Sequence, residues 1–71
     1  MSTTSYQVTG LTCGHCVRAV SDEVGQLTGV TAVAVDLVAD GTSTVTVHSD
    51  RPLSQADVVA ALDEAGDYQL A

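Results

Sequence analysis

The spacing of the apolar residues switches repeatedly along the chain, and the order of those switches limits the fold more than any other feature. Ser5 to Gly10 alternates, with Tyr6 and Val8 on one face, which predicts a strand. Val17, Val20, Val24 and Leu27 then follow at spacings of 3, 4 and 3, the stripe of an amphipathic helix. Gly25 weakens that helix by about 1 kcal/mol relative to Ala, and Thr28-Gly29 ends it, with Gly29 as the C-cap. Alternation returns over Val30 to Val38, placing Val33, Val35 and Leu37 on one face and Ala32, Ala34 and Asp36 on the other. Asp40-Gly41 is a hairpin turn signal. Thr42 to Ser49 is the return strand, with Val45 and Val47 inward and Thr44, Thr46 and His48 outward. Arg51-Pro52 breaks the sheet. Ser54-x-x-Asp57 has the form of a capping box with Asp in the Glu place, and it opens a second helix. Val58, Ala61, Leu62 and Ala65 form the buried stripe of that helix, and Gly66 stops it. Tyr68 to Leu70 is a short last strand.

The element order is therefore β-α-β-β-α-β. Neither helix buries its stripe alone, and each alternating strand offers one apolar face. Two helices on one face of a four-stranded antiparallel sheet satisfy both needs. This is an α+β fold, the ferredoxin-like βαββαβ sandwich. Seventy-one residues allow one domain, residues 1–71. A domain this small has a marginal core, yet 45% hydrophobic residues place it among folded rather than disordered chains.

The two cysteines, Cys13 and Cys16, sit in Gly10-Leu11-Thr12-Cys13-Gly14-His15-Cys16-Val17, where the first strand gives way to the first helix. Gly10 and Gly14 bracket the segment and free its backbone. A Cys13–Cys16 disulfide closes so short a loop that chain entropy assigns it only about 2 kcal/mol, and it ties no two elements together. A metal or redox role is therefore favoured over a structural bridge. Cys16 falls at a helix N-terminus, where unpaired N–H groups and the helix dipole favour the thiolate. Arg18 lies within a turn of it. Soft thiolates select soft ions, above all Cu(I). A closed zinc site normally takes four ligands. Of the remaining candidates, His15 is in the loop, but His48 belongs on an outward strand face. The carboxylates are scattered, so no hard-metal site is expected.

Charge narrows the partners. Nine Asp and Glu stand against Arg18 and Arg51 with no Lys, for a formal charge of −7. Such a surface repels nucleic acid and anionic lipid, so neither nucleic-acid binding nor direct membrane insertion is expected. No apolar run approaches the ~20 residues of a membrane span. Residues 1–15 have no basic or apolar leader character, and a cytoplasmic location is the expectation.

The segment Gly10-Leu11-Thr12-Cys13-Gly14-His15-Cys16-Val17, within this element order, resembles the heavy-metal-associated domain of copper chaperones and copper-transporting P-type ATPases. Its motif is G-M-x-C-x-x-C, and the resemblance covers essentially the whole chain. It implies a soluble, non-enzymatic copper chaperone or buffer of the bacterial cytosolic type. Cys13 and Cys16 would bind Cu(I), to be passed by ligand exchange to a partner C-x-x-C pair. The implied partners are the metal-binding domain of a copper-exporting P-type ATPase and a copper-bridged second copy of the chain. Thr12 stands where the zinc- and cadmium-exporting branch tends to carry Asp, which favours copper. Leu11 replaces the family Met as an apolar anchor under the loop. His15 is either a solvated loop residue or an imidazole donor to copper in a dimer or small cluster. Tyr68 resembles the tyrosine that bacterial chaperones carry near the metal loop, although Asp67 is inserted between it and Gly66. Its alternative is ordinary packing.

Other functions share parts of this pattern. C-G-H-C is also the active-site tetrapeptide of protein disulfide isomerases, which makes a dithiol-disulfide oxidoreductase the alternative. Those domains are longer and carry Trp before the first cysteine and a cis-Pro facing it. Here Thr12 precedes Cys13, and Pro52 is the single proline. An excised N-terminal module of a copper ATPase is a further reading, against which Met1 and the short ending at Ala71 favour a free-standing chaperone. Mercury-binding relatives usually act behind a signal peptide.

Overall fold

The computed structural model describes residues 1–39 and 41–71. The strands are β1 (Ser2–Thr9), β2 (Val30–Asp36), β3 (Ser43–Ser49) and β4 (Gln69–Leu70), and the helices are α1 (Gly14–Gly25) and α2 (Gln55–Ala65). They follow one another as βαββαβ, and the strands form a sheet of order β2-β3-β1-β4. Every neighbouring pair is antiparallel. The ferredoxin-like sandwich expected from periodicity is the observed fold.

The core is a layer of small aliphatic side chains between helices and sheet. Val8, Val45 and Val47 from the central strands meet Val20 and Val24 of α1 and Val58, Ala61 and Leu62 of α2. Leu11, 1% exposed, joins them from the loop after β1. The inward phase of β3 is longer than its two valines suggested, because Ser43 and Ser49 are buried at its ends. Each hydroxyl has a partner. Ser49 Oγ donates to the Arg51 carbonyl at 2.6 Å, and Ser43 Oγ accepts from the Val38 N–H at 2.9 Å. A buried hydroxyl is tolerable only when so paired.

Several boundaries differ from the expectation, each for a tertiary reason. β1 begins at Ser2 rather than Ser5, because β3 supplies it with partners as far as Ser49. β2 stops at Asp36, and Leu37, expected to continue the face of Val33 and Val35, is exposed. The Ser43 side chain takes the Val38 backbone and turns the chain away from the sheet. The Asp40-Gly41 turn lies outside the described residues at Asp40. α1 ends at Gly25 with Gln26 as its C-cap, so Gly29 is not the cap and Leu27 lies past the helix. Gly29 has another task. At φ +89 its carbonyl accepts from the Asp50 N–H at 2.8 Å, and a Cβ there would fall 2.5 Å from Asp50 Oδ1. Only half of the expected capping box forms. Ser54 Oγ accepts from the Ala56 N–H at 3.2 Å, while Asp57 adds negative charge to the first turn.

Candidate metal centre

β1 delivers the chain to one pole of the sandwich, and Gly10, at φ +98, redirects it toward α1. The next side chain, Leu11, is buried in the core and fixes the loop from below. Thr12 and Cys13 then stand exposed. Cys13 is the N-cap of α1, and its carbonyl accepts from the Cys16 and Val17 N–H groups at 3.1 and 3.2 Å. Its side chain makes no capping bond, which leaves its sulfur available. Cys16, in the first turn of α1, is half-buried and packs against the core.

Both cysteines are free thiols, with their Sγ atoms 3.8 Å apart. That is well beyond a disulfide bond of about 2.05 Å. It is short enough for one ion, bonded at about 2.3 Å as in metal thiolates, to reach both sulfurs. Among the described residues no three His, Cys, Asp or Glu side chains gather into a metal-binding group. The soft donors that the loop brings close together are the two thiols.

Electrostatics single out Cys16. Its thiol is lowered from 9.0 to about 6, first by the Tyr68 hydroxyl, then by the backbone and hydroxyl of Thr12, and lastly by the Cys13 backbone, against an opposing effect of burial. Thr12 Oγ1 lies 3.7 Å from Cys16 Sγ. The same contact acts on the other partner. Tyr68 is raised from 10.0 to about 12, first by hydrogen bonding to Cys16, which favours the neutral phenol, then by burial, then by the negative charge of the thiols and Asp67. Cys16 is therefore largely thiolate at neutral pH while Tyr68 stays a donor.

The structure thus brings together Cys13, Cys16, Thr12, Leu11 and Tyr68. The insertion of Asp67 does not carry the tyrosine away. Tyr68 precedes β4 instead of joining it, and its ring lies against Gly10, just before the cysteine loop, and against Gly66. His15 is exposed, and lines a shallow surface depression with Gly14 and Arg18. His48 stands apart on the open sheet face, where its Nδ1 is 3.0 Å from Thr3 Oγ1, at the far end of β1 from the loop. Sequence reasoning missed the close approach of Gly10 and Gly66 to the Tyr68 ring. The only signal was two glycines, each near a loop.

A thiol pair on a strand-to-helix loop, at one pole of a ferredoxin-like sandwich, defines a class of small domains suited to soft metal ions. The family model described as Heavy-metal-associated domain matches residues 5–67, and the chain belongs to that family. Copper chaperone CopZ of Bacillus subtilis is 41% identical over 66 residues, 93% of this chain and 93% of that protein. Copper-transporting ATPase 2 of Homo sapiens is 35% identical over 65 residues, 92% of this chain but 4% of the ATPase. A solved CopZ metallochaperone superposes with a TM-score of 0.78 at 25% identity, covering 99% of this chain and 100% of that one.

Proposed function

We propose that residues 1–71 act as one heavy-metal-associated domain, a soluble cytoplasmic carrier of Cu(I) rather than an enzyme. The observation that carries this reading is the pair of free thiols 3.8 Å apart at the start of α1. Two soft anionic donors match a soft ion that is content with low coordination, whereas a structural zinc site takes four. The similarity to a copper chaperone over nearly the full length of both chains supports copper as the cargo. No helix among the described residues is long and apolar enough to cross a membrane.

Delivery is a ligand exchange. A partner thiolate forms a bond to copper as one sulfur of this chain lets go, and the copper keeps its oxidation state. Exposed Cys13 is the accessible side of the pair, so its bond is exchanged first. Cys16, half-buried beside Tyr68, holds copper longest. The proposed partner is the metal-binding domain of a copper-exporting P-type ATPase, supported by the match to one short stretch of a copper-transporting ATPase. The same match favours a second reading, in which the chain is itself a module of a larger transporter. A copper-bridged homodimer, with His15 as an added donor, is a further proposed state.

An anaerobic competition titration of the reduced protein with Cu(I) and a chromophoric Cu(I) chelator, repeated with excess Zn(II), tests the carrier. Tight binding undisturbed by zinc is the expected result. Weak binding together with rapid turnover of disulfide substrates would instead make the chain a dithiol-disulfide oxidoreductase.

A further inference from the structure

β2 and β4 are the two edges of the sheet, and they are protected unequally. β4 is two residues long, too short to template another strand. β2 runs for seven, Val30-Thr31-Ala32-Val33-Ala34-Val35-Asp36, with no Lys, no Pro and no charge before Asp36. Short strands, charges and prolines are what usually keep an edge from pairing. A bulge between Val30 and Ala32 interrupts the start of β2 and leaves residues 32–36 regular. Val33 and Val35, on the helix side, are only half-buried, since β2 has a neighbour on one side alone. Two features flank the regular stretch. Before it lies a groove of about 170 Å³, lined by Ser21, Gly25, Val30, Thr31, Ala32 and Val33. Gly25 keeps that groove wide, because the place of its missing Cβ is open space. After it comes Leu37, a large apolar side chain left exposed.

We propose that the β2 edge is a self-association surface, on which a second copy of this chain pairs antiparallel about a two-fold axis at Ala34. The edge is complementary to itself in that register. The axis sets Val33 opposite the second copy's Val35, Ala34 opposite its counterpart, and Leu37 opposite Thr31, where the groove lies. Backbone N–H and C=O groups left open at the edge gain partners. The Val33–Val35 pairs close the helix side. Each Leu37 leaves water for the other copy's groove. Charge selects the same arrangement. The chain carries −7, so most of its surface repels a second copy, but this strip is neutral as far as Asp36. The register keeps the two Asp36 residues four strand positions apart, about 13 Å, beyond the Debye length of about 8 Å at physiological salt. Each Asp36 instead comes opposite Ala32, whose neighbour on β3 is His48, so only a methyl group stands between carboxylate and imidazole. β2 runs in the direction of β1, toward the metal loop. Antiparallel copies therefore hold their cysteine loops at opposite ends. This dimer differs from a copper-bridged one and requires no metal.

The test is NMR on the full chain, reduced and with a metal chelator present. Translational diffusion is followed up to about 1 mM, because so small an interface binds weakly. A mixture of isotope-labelled and unlabelled chains then locates the contact. The expected result is a concentration-dependent dimer with nuclear Overhauser contacts between Val33 and Val35 methyls of different copies. Ala34→Lys, exposed on the open sheet face, sets two ammonium groups opposite each other at the axis and should weaken association about fivefold. Leu37→Ser should weaken it about tenfold. Val59→Ser, at an exposed valine of α2, should leave it unchanged. Circular dichroism checks that each variant keeps the fold, and the contacts in the parent chain decide the matter should one unfold. A chain that stays monomeric at about 1 mM overturns the inference and leaves the edge to a strand of a different protein. A dimer that lacks the Val33–Val35 contacts, or that a folded Ala34→Lys variant forms equally well, overturns it too. None of these outcomes bears on copper binding, so the carrier reading stands or falls separately.

Discussion

The Tyr68 hydroxyl and the Cys16 thiol shift each other in opposite directions, the thiol down to about 6 and the phenol up to about 12. The pairing of these two side chains heads the causes of both shifts. It joins the first turn of α1 to the segment between α2 and β4, and so ties the metal loop to the other end of the sequence.

The reactivity of Cys16 should follow this pairing. In the metal-free protein, the rate of iodoacetamide alkylation at Cys16 should rise through a midpoint of about 6. Tyr68→Phe removes the largest cause of the lowering, so the midpoint should move up toward the ordinary thiol value. Mass-spectrometric alkylation profiles between pH 5 and 9 read both curves. An unchanged midpoint in Tyr68→Phe would refute the assignment.

Stability should carry the same signature. The folded chain binds the Cys16 proton more weakly than the unfolded chain, so between about 6 and 9.0 the unfolded state holds more protons. Over that window stability rises with pH, and it is lost as pH falls toward the folded value. Tyr68 has the opposite sign: its contribution is complete below 10.0 and is lost as pH rises through about 12. Thermal melts of the reduced, metal-free chain should therefore shift upward from pH 6 to 9, and less so in Tyr68→Phe.

Removal of either sulfur should abolish the pair without unfolding the domain. Cys13 is exposed and Cys16 is only half-buried, so neither anchors the core. Cys13→Ser and Cys16→Ser should each lower Cu(I) affinity by orders of magnitude in the chelator competition, with circular dichroism unchanged. A variant that unfolds when metal-free, or that binds as the parent does, contradicts the two-thiolate site.

His15 is exposed beside Gly14 and Arg18. His15→Ala should leave the one-copper affinity within about twofold, about 0.4 kcal/mol at 1.4 kcal/mol per tenfold. Its effect should fall on copper-driven association, lowering the dimer fraction in sedimentation velocity at excess copper. An equal dimer fraction would remove His15 from the bridging role.

The loop anchor and the opposite pole should be separable by calorimetry. Leu11→Ala empties a core position and should cost about 2–5 kcal/mol. Gly29→Ala, at φ +89 and against Asp50, should cost about 1–3 kcal/mol at the opposite pole, with Cu(I) affinity preserved. If Gly29→Ala weakens copper binding as much as Leu11→Ala does, the poles are not independent.

Much of this was legible in the chain. The two spacings of apolar residues, with glycines and Ser54 as punctuation, were enough for the element order and the sandwich, because one buried face per element leaves few ways to pack. Cys13 and Cys16 were legible as a thiol pair at a helix start, since residues three apart across that junction are neighbours in any such fold. Element ends were less legible. Ser2 and Leu37 depend on what the partner strand offers, and the hydroxyl of Ser43 that ends β2 reads as a surface residue in sequence.

The sequence by itself therefore determined the fold class and the two sulfurs, because both follow from local spacing and side-chain chemistry. Only the tertiary structure decided that the Tyr68 ring packs against Gly10 beside the cysteine loop despite the inserted Asp67, that Gly66 flanks the same ring, and that His48 lies at the other end of β1 from the loop. Those relations join residues more than 40 positions apart, or turn on where one ring lies. They exist only once the sheet order brings β1, α1 and the α2–β4 connection to one pole.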